Sequence, residues 1–481
     1  MAPNGKADRK VDAASKPPPP EVVRCSYVVP NKGRRCRFPV LPGTSFCGAH
    51  REDESVERVP CPLDPNHTVF KNRLQQHLKI CTKARDQSVV QRQPFYRRGV
   101  NGAGDSVPSA LADAVAVSAA GEEVVRDWMR RISEAWPKAV KQVLGEATCP
   151  EGLLEKSVVL EGGQLAHAEK HDVQNQALAD LILQDLRLKS KIPGVVLVEY
   201  GSGKGGLANA VLRQCPGLRC VLVEREPRRH KFENKQDNKE EQVLRLRLDI
   251  VDFDLQQFLS PALDPQSLPS AADLSGGALK TSTSSTKAEG FGPAERLEEL
   301  WRAAASFQAA GEWPPSSLLA CAKHLCGGAT DIALRSLKAA SKSNVEGSNG
   351  HMVCVATCCH HRCDIHSYVN RPFLEGLGLC DSAQDFAQFV STAGWAVGGF
   401  NRSDSTLARR VHDLEKRKVG MMAKRILDLG RVAWLRQELQ LPDATLMDYI
   451  SKAVTPENMV IVAPVRSGVS RSWKCLAWCC G

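Results

Sequence analysis

The sequence predicts an α/β protein: one large domain built on a parallel sheet, preceded by two small metal-stapled modules. Three observations predict it. From about residue 165 onward, short apolar runs alternate with helical patterns. The first such run leads into a glycine-rich turn, Gly201-Ser-Gly-Lys-Gly-Gly206. Residues 21–85 carry two four-membered sets of cysteine and histidine but few long apolar stretches, so a metal must replace the missing core.

Residues 1–20 are polar and proline-rich and read as a disordered tail. Next come Cys25, Cys36, Cys47 and His50, with ten, ten and two residues between them. Zinc takes four such ligands in a tetrahedron, and the short Cys47-x-x-His50 pair supplies one edge. The first module is therefore placed at 21–53. A second set, Cys61, His67, His77 and Cys81, defines a module at 58–85. His77 and Cys81 are four apart in a stretch of helix-forming composition, which puts both on one helical face. Both sets supply all four ligands, so both predict closed structural zinc sites. Buried histidines and free thiols are the competing reading, and so small a core does not favour them.

Residues 86–164 read as a linker and a helical region. Positions 86–110 are basic and Gly/Ser-containing. Val124, Val125, Trp128, Ile132 and Trp136 then recur at helical spacing, with Pro137 expected to interrupt the pattern. The main domain is placed at 165–470, with a helix over Asn175–Leu188. Strands are expected over Val195–Tyr200, Arg219–Glu224, Leu244–Val251, Leu318–Ala322 and Met352–Thr357. Residues 265–292 are rich in Ser, Gly, Pro and Thr and read as a surface insertion, because the sheet pattern resumes after them. Residues 471–481 form a tail, and its ending W-K-C-L-A-W-C-C-G does not match a prenylation signal.

Bulk properties narrow the function classes. No run approaches the ~18 apolar residues needed to span a bilayer, and the first twenty residues lack the apolar core of a secretory signal. An intracellular chain, nuclear or cytoplasmic, is expected. Eighteen cysteines in a reducing compartment point to metal before disulfides. The net charge of +10 suits a polyanionic partner, although charge alone also serves solubility.

Glycines in the 201–206 turn let backbone approach a ligand, and the following helix N-terminus adds favourable dipoles. A Walker loop fails, because Lys204 is followed by Gly205 and position 198 is Val. Gly201, Gly203 and Gly206 suit a dinucleotide, with Glu224 about 20 residues on where a ribose-binding carboxylate would stand. Gly201, Gly203 and Gly205 equally suit S-adenosylmethionine. Physics alone leaves both open.

The combined pattern resembles the tRNA ribose 2′-O-methyltransferase family that modifies the fourth nucleotide of the acceptor stem, the tRNA:m4X modification enzymes. The matching stretches are the two ligand sets, E-Y-G-S-G-K-G-G-L (199–207), K-H-L-C-G-G-A-T-D (323–331), C-C-H-H-R-C (358–363), G-R-V-A-W-L (430–435) and P-E-N (456–458). They span most of residues 21–465. The resemblance implies a CCCH finger, a CHHC finger and a Rossmann-like S-adenosylmethionine-dependent methyltransferase domain, with tRNA as partner. It implies that Glu199, Gly201, Gly203 and Gly205 surround the methionine moiety. Glu224 would hold the ribose hydroxyls, and Asp249 would sit near the adenine or simply end its strand.

A ribose 2′-hydroxyl must be aligned with the sulfonium methyl and have its proton removed or polarised. Lys323, His324 and His361 are the candidate catalytic residues, with Asp331 orienting one of them or capping a helix. A pocket wall of His360, His361 and Arg362 facing RNA, with the cysteines packed behind, is the expected role of the 358–363 stretch. A third zinc on Cys358 or Cys359, His361, Cys363 and His366 is the alternative. Two other function classes stay open. One is an RNA cytosine-5 methyltransferase using Cys358 and Cys326, against which Leu325 stands where that class has proline. The other is a non-enzymatic zinc-finger RNA-binding protein. Basic stretches at 85–98, 225–231 and 408–425 suit RNA, with Phe95 and Tyr96 placed to stack on bases.

Overall fold

Five runs of buried aliphatic residues form parallel strands because residues apolar on both faces must be covered on both faces. They are β5 (Val195–Tyr200), β6 (Arg219–Val223), β7 (Val243–Leu246), β8 (Ser317–Lys323) and β9 (His351–Ala356). The computed structural model describes residues 23–29, 33–48, 50, 57–102, 121–146, 148, 154, 167–187, 194–229, 231–235, 239–264, 266–275, 293–341, 351–396 and 407–464. They divide into two units, Met1–Ser88 and Val89–Gly481.

The first unit holds two antiparallel pairs. β1 (Val28–Val29) pairs with β2 (Arg34–Arg35), and β3 (Arg58–Cys61) with β4 (Asp64–Phe70). A short helix, α1 (Leu74–Ile80), carries His77 and ends at Cys81.

The second unit is built on a seven-stranded sheet in the order β10-β11-β9-β8-β5-β6-β7. β11 (Met459–Ala463) runs antiparallel to β9, and β10 (Thr445–Asp448) antiparallel to β11. These two strands are not among the five expected. They follow a 32-residue helix and close one edge of the sheet as a hairpin-like pair. Helix α3 (Glu122–Leu144) packs with α9 (Leu407–Glu438) on one side, while α4 (His167–Arg187) and α5 (Gly206–Gln214) pack together on the other. Helices α6 (Pro293–Ala309), α7 (Gly328–Ser341) and α8 (Ala383–Thr392) complete the layers. The expected α/β architecture is what the chain adopts.

Three local expectations are corrected. Pro137 does not interrupt α3, which runs through it. Val125, Trp128, Ile132, Trp136, Val140 and Val143 are all buried along that helix. At about 1.5–3 kcal/mol each, their burial outweighs the ~3 kcal/mol a proline costs inside a helix. β7 stops at Leu246 instead of reaching Val251, because the Asp249 side chain caps a short helix by accepting from the Val251 amide (3.1 Å). Residues 92–102 are no free linker. Asn101 Nδ2 donates to the carbonyls of Ile250 (2.7 Å) and Phe253 (2.8 Å), and Phe95 packs edge-on against Phe258.

That packing also removes Phe95, 2 % exposed, from any role in stacking on bases. Tyr96 bridges to Phe253 beside it. The upper end of the 408–425 basic stretch is likewise internal, since Lys424 and Arg425 are buried. The tails and most of the 265–292 insertion lie outside the described residues.

Candidate active site and metal clusters

Strand order reverses between β5, whose outer neighbour is β6, and β8, whose outer neighbour is β9. Ligands of open α/β sheets bind at such a switch point, outside the carboxyl ends of the strands. Two sequence-predicted segments emerge there. One is the glycine turn after β5; the other is 323–328 after β8.

The turn holds three glycines in the left-handed region: Gly201 (φ +63°), Gly203 (φ +55°) and Gly205 (φ +81°). A Cβ on Gly201 would stand 2.9 Å from Leu325, whereas one on Gly203 would meet nothing within 4 Å among the described residues. The backbone of Gly203 thus borders open space. Glu224, at the end of β6, accepts from the Gly203 amide (2.8 Å) and the Glu226 amide (2.9 Å), with Arg228 3.5 Å away. Oε1 faces both the Glu226 amide and Arg228, while Oε2, which takes the Gly203 amide, keeps a lone pair for a further donor. Glu199 is buried and accepts from the Ala208 amide (3.1 Å) in the first turn of α5. Burial pushes its carboxyl up to about 7. Asp249 faces Arg225 (3.5 Å) besides capping its turn.

Around the turn stand residues that the sequence reading missed. Arg245 donates to the Gly203 carbonyl (2.9 Å) and Ser202 Oγ (3.2 Å) and is ion-paired with Glu233. Asn175 is buried, its Oδ1 has no hydrogen-bond partner among the described residues, and its amide stands where a Gly206 side chain would go. His171 and Asn175, four apart, occupy one face of α4. That spacing was a signal available in the sequence.

On the β8 side, Lys323 Nζ donates to the His171 carbonyl (3.2 Å) and lies 3.4 Å from His171 Nδ1. His324 Nε2 lies 3.4 Å from the same Nδ1, with the two rings edge to face. Burial brings the half-buried Lys323 ammonium down to about 8, against the opposing pull of Glu199 and Asp172. Burial, with Lys323 and His171 beside it, brings His324 down to about 4. His361 is elsewhere. It is exposed on the short His360–Arg362 turn, its Cβ facing Gly394.

The 358–363 stretch divides differently from the expected wall. His360 is 1 % exposed and turns inward, its Nε2 2.8 Å from Asp428 Oδ1. Thr357 Oγ1 donates to the other Asp428 oxygen (2.9 Å). Arg431, from the same helix as Asp428, pairs with Asp428 (3.0 Å) and Asp331 (2.7 Å) and donates to Cys363 Sγ (3.1 Å). Asp331 therefore neither orients Lys323 or His324 nor serves as a cap; it is the anion of a buried ion pair. Cys363 is committed to the same network, so the proposed third metal set through Cys363, His361 and His366 does not assemble. Instead Cys326 meets Cys358 and Cys359.

In the first unit, Cys25, Cys36, Cys47 and His50 bring four ligand atoms within 4.8 Å of one another, and Cys61, His67, His77 and Cys81 do the same. The Cys36 and Cys47 sulfurs are 3.9 Å apart, as are those of Cys61 and Cys81. These soft, convergent donor sets fit zinc, which would close each site as a structural staple.

Comparison with known proteins agrees with this layout. The family described as a CCCH zinc finger in TRM13 protein matches residues 23–51, and the U11-48K-like CHHC zinc finger matches 58–82. The methyltransferase TRM13 family matches 173–272 and 307–464. A Mus musculus protein named tRNA:m(4)X modification enzyme TRM13 homolog is 26 % identical, over 92 % of this chain and 94 % of its own. The Homo sapiens protein of the same name is 27 % identical over the same shares. Among solved structures, the plantazolicin methyltransferase BpumL with SAH covers 72 % of this chain and 100 % of its own, at 9 % identity and a TM-score of 0.24. With its methyltransferase match spanning more than half its length behind two matched zinc fingers, this chain belongs to the TRM13 methyltransferase family.

Proposed function

We propose that the chain transfers a methyl group from S-adenosylmethionine to a ribose 2′-hydroxyl at nucleotide 4 of the tRNA acceptor stem. The observation that carries this reading is the convergence of the glycine turn and Lys323 at the switch point of one sheet. The tRNA substrate follows from the names of the relatives.

The crevice residues fit the methyl donor. Gly201, Gly203 and Gly205 would border its methionine part together with Glu199, and Asn175 Oδ1 offers an unfilled acceptor beside them. Glu224 would accept from its ribose hydroxyls, and Asp249 would lie toward the adenine. When bound, the sulfonium supplies an activated methyl with a good leaving group. The protein's part is to align the hydroxyl and take its proton. Lys323 is the group we assign to that proton, with His171 and His324 fixing its direction. His361, exposed on its separate turn, is assigned with Arg362 to the RNA backbone. The eight finger ligands named above would hold the two zinc ions. Duplex RNA of A-form would be recognised by shape, phosphates and 2′-hydroxyls more than by sequence.

The cytosine-5 alternative needs Cys358 to attack a base, yet Cys358 is only 6 % exposed. One assay separates the readings. Purified protein, S-adenosylmethionine and tRNA transcripts should give one gap in an alkaline hydrolysis ladder, at nucleotide 4. An unbroken ladder with covalent trapping on 5-fluorocytosine RNA would replace the 2′-O reading. RNA binding with no methyl transfer would favour a non-enzymatic role.

Gly203 tests the donor site separately. Gly203→Ala should cost about 1–2 kcal/mol of stability, the strain of a left-handed alanine, because no atom of the described residues blocks the new methyl. The methyl would instead occupy the space above the turn. Calorimetric titration should show S-adenosylmethionine affinity down at least about tenfold, roughly 1.4 kcal/mol. Unchanged affinity would move the donor away from this turn.

A further inference from the structure

Beyond the two finger clusters, the chain brings together a third group of thiols. The sulfurs of Cys326, Cys358 and Cys359 lie within 4.8 Å of one another, with Cys326 and Cys358 at 3.5 Å. Cys326 belongs to the loop after β8, and Cys358 and Cys359 follow β9. Two loops must touch for these sulfurs to meet, and two glycines permit it. A Cβ on Gly327 (φ +60°) would stand 2.3 Å from the Arg362 carbonyl oxygen, and one on Gly328 2.0 Å from Ser367 Oγ. Any side chain at either position would force the loops apart.

The second loop is held rigidly. Thr357 and His360, on either side of the cysteine pair, are both anchored to Asp428. Cys359 itself sits at φ +37°, in the left-handed region that a non-glycine residue occupies only when its surroundings over-determine it. The other thiol of this stretch, Cys363, is bound to Arg431 and stays out of the group.

Tetrahedral zinc with bonds of about 2.3 Å places its sulfurs about 3.8 Å apart. The Cys326–Cys358 spacing is close to that, as are the 3.9 Å sulfur pairs in both fingers. We propose that Cys326, Cys358 and Cys359 bind a third zinc ion through three thiolates. Its fourth position opens beside Cys326 and Cys359, which are part-exposed while Cys358 is buried. Three protein ligands with an open position differ in kind from the closed finger sites. The site does not depend on the methyl-transfer reading.

The test is metal stoichiometry on the full-length chain, purified without chelator or metal-affinity resin and measured by plasma mass spectrometry. We expect three zinc ions per chain. Cys326→Ser and Cys359→Ser should each hold two, and Cys326→Ser combined with the finger variant Cys47→Ser should hold one. Two zinc ions in the unaltered chain, unchanged by Cys326→Ser, would overturn the proposal. So would a Cys326–Cys358 disulfide found by mass spectrometry of the freshly purified, unreduced chain. The count in the unaltered chain decides the matter even if a variant fails to fold.

Discussion

Arg431→Met should destabilise the large unit by about 3–5 kcal/mol, the usual cost of removing one partner from a buried ion pair. Against a total of about 5–15 kcal/mol for a typical domain, such a loss leaves little soluble protein. Arg431 is 1 % exposed, and both its acidic partners, Asp331 and Asp428, are 0 % exposed. Methionine fills much of the volume but takes away the guanidinium that is directly ion-paired with buried Asp331. Arg431→Lys should rescue little, because a single ammonium cannot reproduce the fork that reaches Asp331, Asp428 and Cys363 together. Denaturant unfolding measures both variants, and a loss under 1 kcal/mol for Arg431→Met would refute the assignment.

The same network sets a direction with pH. Burial would raise Asp428, yet His360 and Arg431 hold it well below the usual carboxylate range. Burial also holds His360 below its ordinary value of 6.5. Both depressed groups take up protons more readily when unfolded. Their contribution is present above the unfolded pKa values and lost on acidification, His360 beginning below about 6.5 and Asp428 below about 4.

Lys323→Met should reduce kcat by about 10²–10⁴-fold, the range for losing a positioned general base. S-adenosylmethionine affinity should change little, since the glycine turn and Glu224 are untouched. The pH profile distinguishes a base from a structural lysine. With its ammonium brought down to about 8 by burial, Lys323 gains its neutral form as pH rises. The rate should therefore climb about tenfold per unit below pH 8 and level off above it. Lys323→Arg should be as slow as Lys323→Met and show no such limb, because a guanidinium stays charged. A normal rising limb in either variant would assign the proton to another group.

Much of this architecture is legible in the residues themselves. Strands β5, β6, β8 and β9 are continuous apolar runs, and the cysteine and histidine spacings stand out in a segment that lacks a core. What escaped depended on partners distant in sequence. His360 looks like a surface ligand beside His361 until Asp428, 68 positions on, claims it. Phe95 sits among arginines, and only Phe258 reveals it as core. Pro137 carries a local rule that a long buried helix face overrides. The metal-binding pattern at 358–363 was read along the chain, whereas the thiol that completes it, Cys326, comes from the neighbouring strand's loop.

Helix α9 has a consequence for synthesis. Its Asp428 fixes the turn after β9, its Arg431 holds α7 through Asp331, and its Lys424 pairs with Glu457 ahead of β11. All these clamps lie about a hundred or more residues after β8 and more than two hundred after the glycine turn. A ribosome extending the protein from its N-terminus thus exposes the glycine turn and β8 long before anything can brace the wall opposite them. The fingers, whose ligands are all local, can close around metal while the rest is still being made. The crevice at the switch point is therefore finished only after α9 and the β10–β11 pair have emerged.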